Sequence, residues 1–525
     1  MVSVKMRLMK FFCAVCCGAA FSLHAQVDTN KTQSVSLQQV IQMAVEHNLD
    51  VQVQRYVPMI DKYAVEAYYG VYDVYFNGYA KDSYYNRPGQ VSAGVQNSPV
   101  QNDSQLFGAA LGGPNGGNAI TPWGLQYGLT STLEDDAYHT SATRTTTVVT
   151  PTTTNTVTQF VGNFNQHVAF TGITLDQPLF KNFLMDISRY NIQIAKKNYQ
   201  FDELGFRLQV MSVVSQTEQA YDELIYAFDK VKVEQQAVDL ARQLVTENKR
   251  RVEVGTLAPL DEKQSESQLA GAQADLISAK AALETQQNTL KSLITDKFRE
   301  LHDVQLIPSE HLLSVPEMFD IQQSWERGLK MRPDLAQAKV DMDRHQLTVR
   351  YQRNQVLPQV DLVGAYGRSG LKNDLNGSLD DIRQENYPSY MYGLTVSIPL
   401  SNKAARNNYK SAKAANEQAA VAYKRMEQMV LIQIENSIAN AKNDFERIHA
   451  TREAREFADD ALQAEQKKLA VGKSTSFVVL QLQNNLTTAR SAEIRALADY
   501  NEALAQLTQN EGYTLEKYHL SVKLQ

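Results

Sequence analysis

One ordered pattern occurs twice in the chain, and this duplication constrains the fold more than any other feature. The segments 172–179 and 393–400 both read Gly-x-Thr-x-x-x-Pro-Leu, with their prolines at Pro178 and Pro399. Each segment is followed by a long stretch of helical spacing, a glycine turn and a second helical stretch. A repeat of this length and order indicates a structural duplication. It predicts a body built from strand–helix modules rather than around a single catalytic pocket.

The first 25 residues have the pattern of a secretory signal peptide. Three basic residues precede an apolar run from Phe11 to Leu23, and Leu23-His24-Ala25 is an acceptable cleavage site. All three cysteines of the chain lie in this segment, so a mature chain would contain no disulfide or thiolate metal site. An N-terminal lipidation site is the alternative, and Val15-Cys16-Cys17 fits its pattern poorly.

The helical stretches that follow the two prolines are unusually long. Segment 186–254 contains no proline and one glycine, and segment 404–471 contains neither. At ~1.5 Å per residue each would span on the order of 100 Å. Apolar residues recur every seventh position from Leu224 to Val252, which predicts left-handed coiled packing. A glycine suited to ending a helix closes each stretch. The predicted tips consist of Val254, Gly255, Thr256, Val471, Gly472 and Lys473.

Four segments alternate between apolar and polar residues and are predicted to be strands: 71–85, 164–178, 358–368 and 389–400. We expect the first two to pair with each other. The Gly-, Asn-, Ser- and Thr-rich segment 87–160 between them is predicted to be a loop, with parts disordered. Strands of about ten residues can span a membrane. Four of them cannot close a barrel, so several copies would have to share one.

Composition and motifs give no support to an enzyme or a nucleic-acid-binding protein. The net charge is −6, and no basic stripe is present that would attract nucleic acid. The nine histidines form no metal-binding pair, and no cofactor motif is present. Val471-Gly472-Lys473-Ser474 lacks the preceding glycine of a phosphate loop, because Lys467 occupies that position.

The duplicated Gly-x-Thr-x-x-x-Pro-Leu strand ends and the paired Val-Gly turns together resemble the TolC-like outer membrane efflux protein family. Arg332-Pro333-Asp334-Leu335 and its first-repeat counterpart Asn48-Leu49-Asp50-Val51 add to the resemblance, which covers nearly all of the mature chain. The family implies an α+β membrane protein: a homotrimer with a twelve-stranded outer-membrane barrel, continuous with a periplasmic α-helical coiled-coil barrel. The expected division is a signal peptide 1–25, a first repeat 26–324 and a second repeat 325–525, the latter ending in a belt segment.

The resemblance also implies site residues. The six tip residues match positions that contact a periplasmic adaptor protein, and Pro178 and Pro399 mark the bends from strand to helix. Asp261 matches an acidic position near the tunnel entrance. In the second repeat Val478 and Gln481 stand where relatives often have aspartates. An acidic ring across the entrance is therefore not expected in full.

The resulting hypothesis is the outer-membrane channel of a tripartite efflux system, a passive exit duct for drugs and toxic small molecules. An inner-membrane pump of the RND or ABC class would drive it through the adaptor. Two alternatives stay open: the duct of a type I protein secretion system, and a periplasmic coiled-coil adaptor or scaffold that would lack membrane strands. No cofactor, catalytic residue or metal site is expected.

Overall fold

The structure is a computed structural model, and the residues it describes are 32–88, 91–92, 95–96, 100–140, 142–149, 154–161, 164–312 and 314–521. The predicted signal peptide 1–25 and its cysteines lie outside these residues. So do the last four residues of the predicted C-terminal belt segment.

Helices dominate the described part of the chain, and two pairs of them form long hairpins. None of the described helices combines the length and apolar character needed to cross a membrane. The α-helices are α1 Leu37–His47, α2 Leu49–Tyr69, α3 Ile187–Glu253, α4 Pro259–Ile294, α5 Phe298–Leu301, α6 Ile321–Met331, α7 Pro333–Gln355, α8 Leu375–Arg383, α9 Lys403–Ala470, α10 Ser476–Asn510 and α11 Thr514–Lys517.

The longest helices, α3 and α9, agree within a residue with the predicted stretches 186–254 and 404–471. Helix α3 begins at a cap, because the Asp186 carboxylate accepts a hydrogen bond from the Arg189 backbone amide at 2.7 Å. Helix α9 begins after Asn402, whose backbone is left-handed with φ 42°. The two helices contain 67 and 68 residues.

Heptad positions hold the long helices together. On α3, Leu224 and Val238 are buried, as the seven-residue spacing predicted. Where α3, α9 and α10 meet near the turns, a separate apolar cluster packs the two hairpins against each other. Its buried members are Leu244, Leu462, Leu469, Val479, Leu480 and Leu486.

The first helical segment breaks at Asn48, between α1 and α2. The Asn48 side chain accepts from the backbone amides of Asp50 and Val51, capping α2. It also donates to the Leu293 carbonyl oxygen at 3.0 Å, fixing the break against the return helix α4. Pro58 lies inside α2.

The described residues form thirteen strands. They are β1 Thr32–Val35, β2 Tyr75–Arg87, β3 Val91–Ser92, β4 Val95–Gln96, β5 Val100–Gly112, β6 Ala119–Ile120, β7 Gln126–Thr140, β8 Ala142–Val149, β9 Thr154–Val161, β10 Phe164–Pro178, β11 Gln305–Pro308, β12 Gln359–Lys372 and β13 Pro388–Ser397.

Six long strands form one sheet in the order β13-β12-β10-β7-β5-β2, and the short β6 pairs with β7. Every neighbouring pair of the six is antiparallel. β2 and β13 are the edge strands, and no described strand pairs with their outer edges.

Two predictions about this sheet are wrong. The segment 87–160 is not a loop: β5 and β7 run through it as sheet strands, and β8 and β9 form a separate hairpin. The expected pairing of the first two predicted strands is also absent, because β2 pairs with β5, while β10 pairs with β7 and β12. Each chain thus contributes six long strands rather than four.

A smaller element closes the middle of the helical body. β1 pairs in parallel with β11, and the Tyr221 hydroxyl of α3 donates to the Val35 carbonyl oxygen at 3.0 Å. Leu306 of β11 and Leu515 of α11 are buried in the same core cluster. These segments pack beside the helices, as expected for a belt.

Candidate functional site: the helical tips and the two-faced sheet

The first tip is a Schellman turn built on Gly255. The Gly255 amide donates to the Val252 carbonyl oxygen at 2.9 Å, and the Thr256 amide donates to the Arg251 carbonyl oxygen at 2.9 Å. Gly255 has φ 74°, a left-handed backbone that disfavours any residue with a side chain. Pro259 then opens α4 at a position where a missing amide costs nothing.

The second tip repeats this geometry. The Gly472 amide donates to the Leu469 carbonyl oxygen at 3.1 Å, and the Lys473 amide donates to the Lys468 carbonyl oxygen at 2.9 Å. Gly472 has φ 77°. The two turns selected from the sequence therefore have one backbone design.

Both tips expose apolar side chains to solvent. Val254 is 69% exposed and Val471 is 68% exposed, at matching positions before the two glycines. Leu260 and Phe477, each in the first turn of a return helix, are also exposed. A Cβ atom added at either glycine would meet nothing within 4 Å. The glycines therefore leave a flat surface flanked by apolar groups.

Two contacts tie the tips to each other. The buried Ser476 hydroxyl donates to the side-chain oxygen of buried Asn248 at 3.0 Å. The Arg251 guanidinium donates to the Leu469 carbonyl oxygen at 3.3 Å. We call these the tip bridge. Because its groups are wholly or partly buried, breaking it leaves polar atoms without partners in a dry environment.

The second tip is also braced from its own side. Glu465 accepts from the Lys468 ammonium at 2.8 Å and from the Ser474 hydroxyl at 2.5 Å. The hydrogen bond from Lys468 lowers the pKa of Glu465 most, and the bond from Ser474 lowers it further. The Glu465 carboxylate therefore keeps its charge in mildly acidic solution.

The entrance candidates lie on the return helices just beyond the turns. Asp261 lies in the first turn of α4, where a carboxylate is favoured by the helix dipole. In α10, Val478 is half-buried and Gln481 is exposed. The two tips therefore differ in charge at the position where their backbones correspond.

The strand-to-helix prolines occupy different settings. Pro178 is the last residue of β10, and eight residues separate it from α3. Pro399 follows the end of β13 and lies four residues before α9 begins. In both repeats the chain leaves the sheet at the proline and enters a long helix.

The six-stranded sheet has two chemically different faces. A row of directly opposed residues crosses all six strands and carries exposed large apolar side chains. Its members are Phe76, Leu111, Leu129, Ile173, Tyr366 and Tyr390. We call the face that bears this row the apolar face.

The neighbouring row, one residue along each strand, points to the opposite side of the sheet. It contains only small or polar residues, and we call its side the polar face. Its members are Asn77, Ala110, Thr130, Gly172, Gly367 and Ser389. The two faces of the sheet therefore differ in chemistry along these two rows.

No group of three or more histidine, cysteine, aspartate or glutamate side chains in the described ranges could hold a metal ion. The candidate functional surfaces are the tips and the sheet faces.

The family model described as "Outer membrane efflux protein" matches residues 139–295 and 326–512, which together make up more than half of the chain. The chain belongs to the outer membrane efflux protein family. One relative is the cobalt-zinc-cadmium resistance protein CzcC of Cupriavidus metallidurans, 22% identical over 207 residues. That match covers 39% of this chain and 44% of the relative, so the chain spans less than half of its length.

Solved structures of outer-membrane proteins share the fold. The outer-membrane channel OprN aligns with a TM-score of 0.64 at 15% identity, covering 91% of this chain and 89% of OprN. VceC of Vibrio cholerae gives a TM-score of 0.62 at 14% identity, covering 91% and 96%. CmeC of Campylobacter jejuni gives 0.61 at 15% identity, covering 91% and 86%. The family resemblance inferred from the sequence is confirmed.

Sequence reasoning missed β5 and β7 of this efflux protein. The signal was present in Phe107, Ala109 and Leu111, which alternate along β5. Gly108 and Ala110 stand between them, so no polar residue marks the opposite face at this end of β5. The tip bridge was also missed, because Asn248 and Ser476 are far apart in sequence.

Proposed function

We propose that this efflux protein is the outer-membrane component of a tripartite system and acts as a passive exit duct. The observation that carries this is the two-faced sheet, which joins at Pro178 and Pro399 to helical hairpins that end in exposed tips. An apolar face suits lipid, and a polar face suits a water-filled passage. The duct would therefore lie in the outer membrane, with its helices extending through the periplasm after export by the signal peptide.

The assembly we propose is a homotrimer, as the family resemblance implies. Unpaired strand edges are not tolerated in lipid, so an open sheet must close with further copies. The twelve-stranded barrel expected from the resemblance presupposes four strands from each copy. This chain offers six, which exceeds that expectation.

The tips would dock a periplasmic adaptor protein. In support, Val254 and Val471 are exposed at matching sites, and both glycines leave space beside them. A group of exposed apolar side chains commonly marks a surface that binds another protein. An inner-membrane pump, of the RND or the ABC class, would supply the energy.

The substrates we propose are small toxic molecules, including drugs. The relative CzcC is named for resistance to cobalt, zinc and cadmium, so divalent metal ions belong among the substrates to be tested. A duct needs no substrate chemistry of its own, and no catalytic residue or cofactor is assigned.

Opening would require the tips to move apart. The tip bridge holds α3 to α9 and α10 within one chain, and opening would exchange this packing for another. A protein-secretion duct would use the same architecture with different partners. A periplasmic scaffold would not need the exposed apolar face that this sheet carries.

Conductance in planar lipid bilayers tests the proposal. The full chain, purified from outer membranes, should insert as a trimer and give discrete channels in neutral lipid. A preparation of assembled protein that gives no trimer-dependent conductance would rule out the duct.

A further inference from the structure

We infer that β5 and β7 are part of the membrane wall, so that three copies close an eighteen-stranded barrel through pairing of β13 of one copy with β2 of the next. This inference rests on the proposed function, because it concerns the assembly that the duct would form. It replaces the four strands expected per copy with the six that the structure contains.

β5 and β7 extend along the same length of the sheet as the strands they pair with. β5 pairs with β2 over residues 100–112, and β7 pairs with β10 over residues 126–138. These lengths, at ~3.3 Å per residue, suffice for a tilted membrane strand. The two strands are therefore as long as those predicted from the sequence.

The turn between β5 and β7 lies at the helical end of the sheet. The Asn77 side chain donates to the Gly113 carbonyl oxygen at 3.0 Å, beside the start of β2. A Cβ atom at Gly124 would lie 2.7 Å from the guanidinium of Arg189, in the first turn of α3. β5 thus descends fully to the helices, and β7 rises again from them.

The chemistry of β5 and β7 matches that of their neighbours. Leu111 is 43% exposed and Leu129 is 42% exposed, in line with Ile173 at 39% on the apolar face. These exposed leucines have no apolar cover in one copy, and lipid would supply it.

The opposite side of these strands carries a polar network. The Ser104 hydroxyl donates to the Glu134 carboxylate at 3.0 Å, and Gln166 donates to the Asp136 carboxylate at 3.3 Å. One of these bonds joins β5 to β7 and the other joins β7 to β10. A hairpin detached from the sheet would not align its polar side with the polar side of the other strands.

Strand direction permits closure. Six alternating strands place β2 and β13 in opposite directions, so β13 of one copy and β2 of the next pair antiparallel. The two edge strands run in opposite directions whenever the number of strands per copy is even. The added hairpin of two strands, β5 and β7, therefore leaves their directions unchanged. Barrel diameter grows roughly linearly with strand number, so eighteen strands give a pore about 1.5 times as wide as twelve.

Cysteine labelling of assembled trimers in liposomes tests the wall. In a background lacking Cys13, Cys16 and Cys17, single substitutions L111C and L129C probe the apolar face, and L106C and T130C, at half-buried positions, probe the polar face. A water-soluble maleimide should react at least about tenfold more slowly at the first pair, because lipid burial suppresses the thiolate. Equal, fast reaction at all four sites would place β5 and β7 outside the wall and overturn the inference.

Matched control variants on β10 distinguish failure of the present inference from failure of the proposed duct. I173C should be protected and T174C should react, whether the barrel has twelve or eighteen strands. If the β10 pair alternates and the β5 and β7 sites do not, only the present inference fails. If the β10 pair also reacts equally, the membrane location fails with it.

Disulfide trapping tests the closing pair. Within one copy β13 and β2 are five strand spacings apart, about 24 Å at ~4.8 Å each, which is far beyond disulfide reach. A cysteine at Thr395, combined in turn with one at Tyr75, Asn77, Tyr79 or Lys81, can therefore bridge only two copies. We expect one combination to give covalent trimers on oxidation. Absence of cross-linking in all four, in protein that forms trimers, would overturn the closure.

Discussion

The two repeats agree closely in their helices and differ in their sheets. The first hairpin has helices of 67 and 36 residues, and the second has helices of 68 and 35. The first repeat contributes four long strands, β2, β5, β7 and β10, whereas the second contributes only β12 and β13. The helical hairpins must end at one level, because their tips contact each other. The sheet has no such constraint, because an added hairpin only makes it wider.

The same contrast appears within the tips. Their glycine turns have one backbone geometry, with φ 74° and 77°. The residues that follow differ, since Pro259 and Asp261 open α4, while Ser476 and Val478 open α10. Shared backbone and different side chains suggest shared docking and unequal roles in gating.

The largest effect is expected where the repeats agree. Replacing both Gly255 and Gly472 with leucine forces side chains onto left-handed backbone, at ~1–2 kcal/mol each, and fills the flat surface. We expect trimers to form and export to fall by about tenfold or more, as for loss of a central contact. Export assays in cells with trimer quantification would measure this.

The matched control is Gly271→Leu. Gly271 lies within α4 and has open space around it, so leucine is tolerated there. Each single tip variant should lose a similar share of export if the tips are equivalent. Full export by the double variant would disprove docking at the glycines.

The next effect concerns the tip bridge. Ser476→Ala leaves the buried Asn248 side chain without its hydroxyl donor, at a cost of about 1–3 kcal/mol. We expect the tips to separate more often and single-channel conductance to rise. Ser265→Ala is the control, because that buried hydroxyl bonds only to Glu262 within its own helix. Unchanged conductance in Ser476→Ala would show that the bridge does not hold the entrance closed.

A smaller effect should come from the charge difference between the tips. Asp261→Val removes three carboxylates from the proposed entrance, and Val478→Asp adds three at the corresponding position. We expect cation preference to fall in the first and rise in the second by about two- to fivefold, on the scale of ~1 kcal/mol for a close pair in water. Reversal potentials in a salt gradient measure this, and identical values in both variants would place these residues away from the permeation path.

The last effect concerns the pH dependence of the stability of the first hairpin rather than transport. Burial, followed by repulsion from Glu218 and Glu502, raises the pKa of Asp222 to about 8. The folded chain therefore holds a proton that the unfolded chain releases near its usual pKa of 3.8. Stability contributed at this site is full below about pH 4 and falls as pH rises to about 8. Asp222→Asn should flatten this decline in thermal unfolding. An unchanged slope would show that Asp222 titrates normally.

Sequence reasoning succeeded where periodicity was long and failed where it was short. The heptads and bounding glycines set α3 and α9 to within a residue. β5 and β7 were hidden because glycine, alanine and threonine lie between their apolar residues near the helical end, a composition that also suits disorder. Strand partners depend on three-dimensional neighbours, so the pairing of β2 with β5 had no local signal. The tip bridge had none either, since Asn248 and Ser476 meet only through folding.

The most direct measurement is an electron cryomicroscopy map of the full chain in lipid nanodiscs. The account predicts a threefold particle whose membrane wall has eighteen strands, six from each copy, with β13 paired to the next copy's β2. It also predicts that the helical hairpins converge at Gly255 and Gly472. A wall of twelve strands with residues 100–140 outside it, or a monomer with an open sheet, would contradict the account.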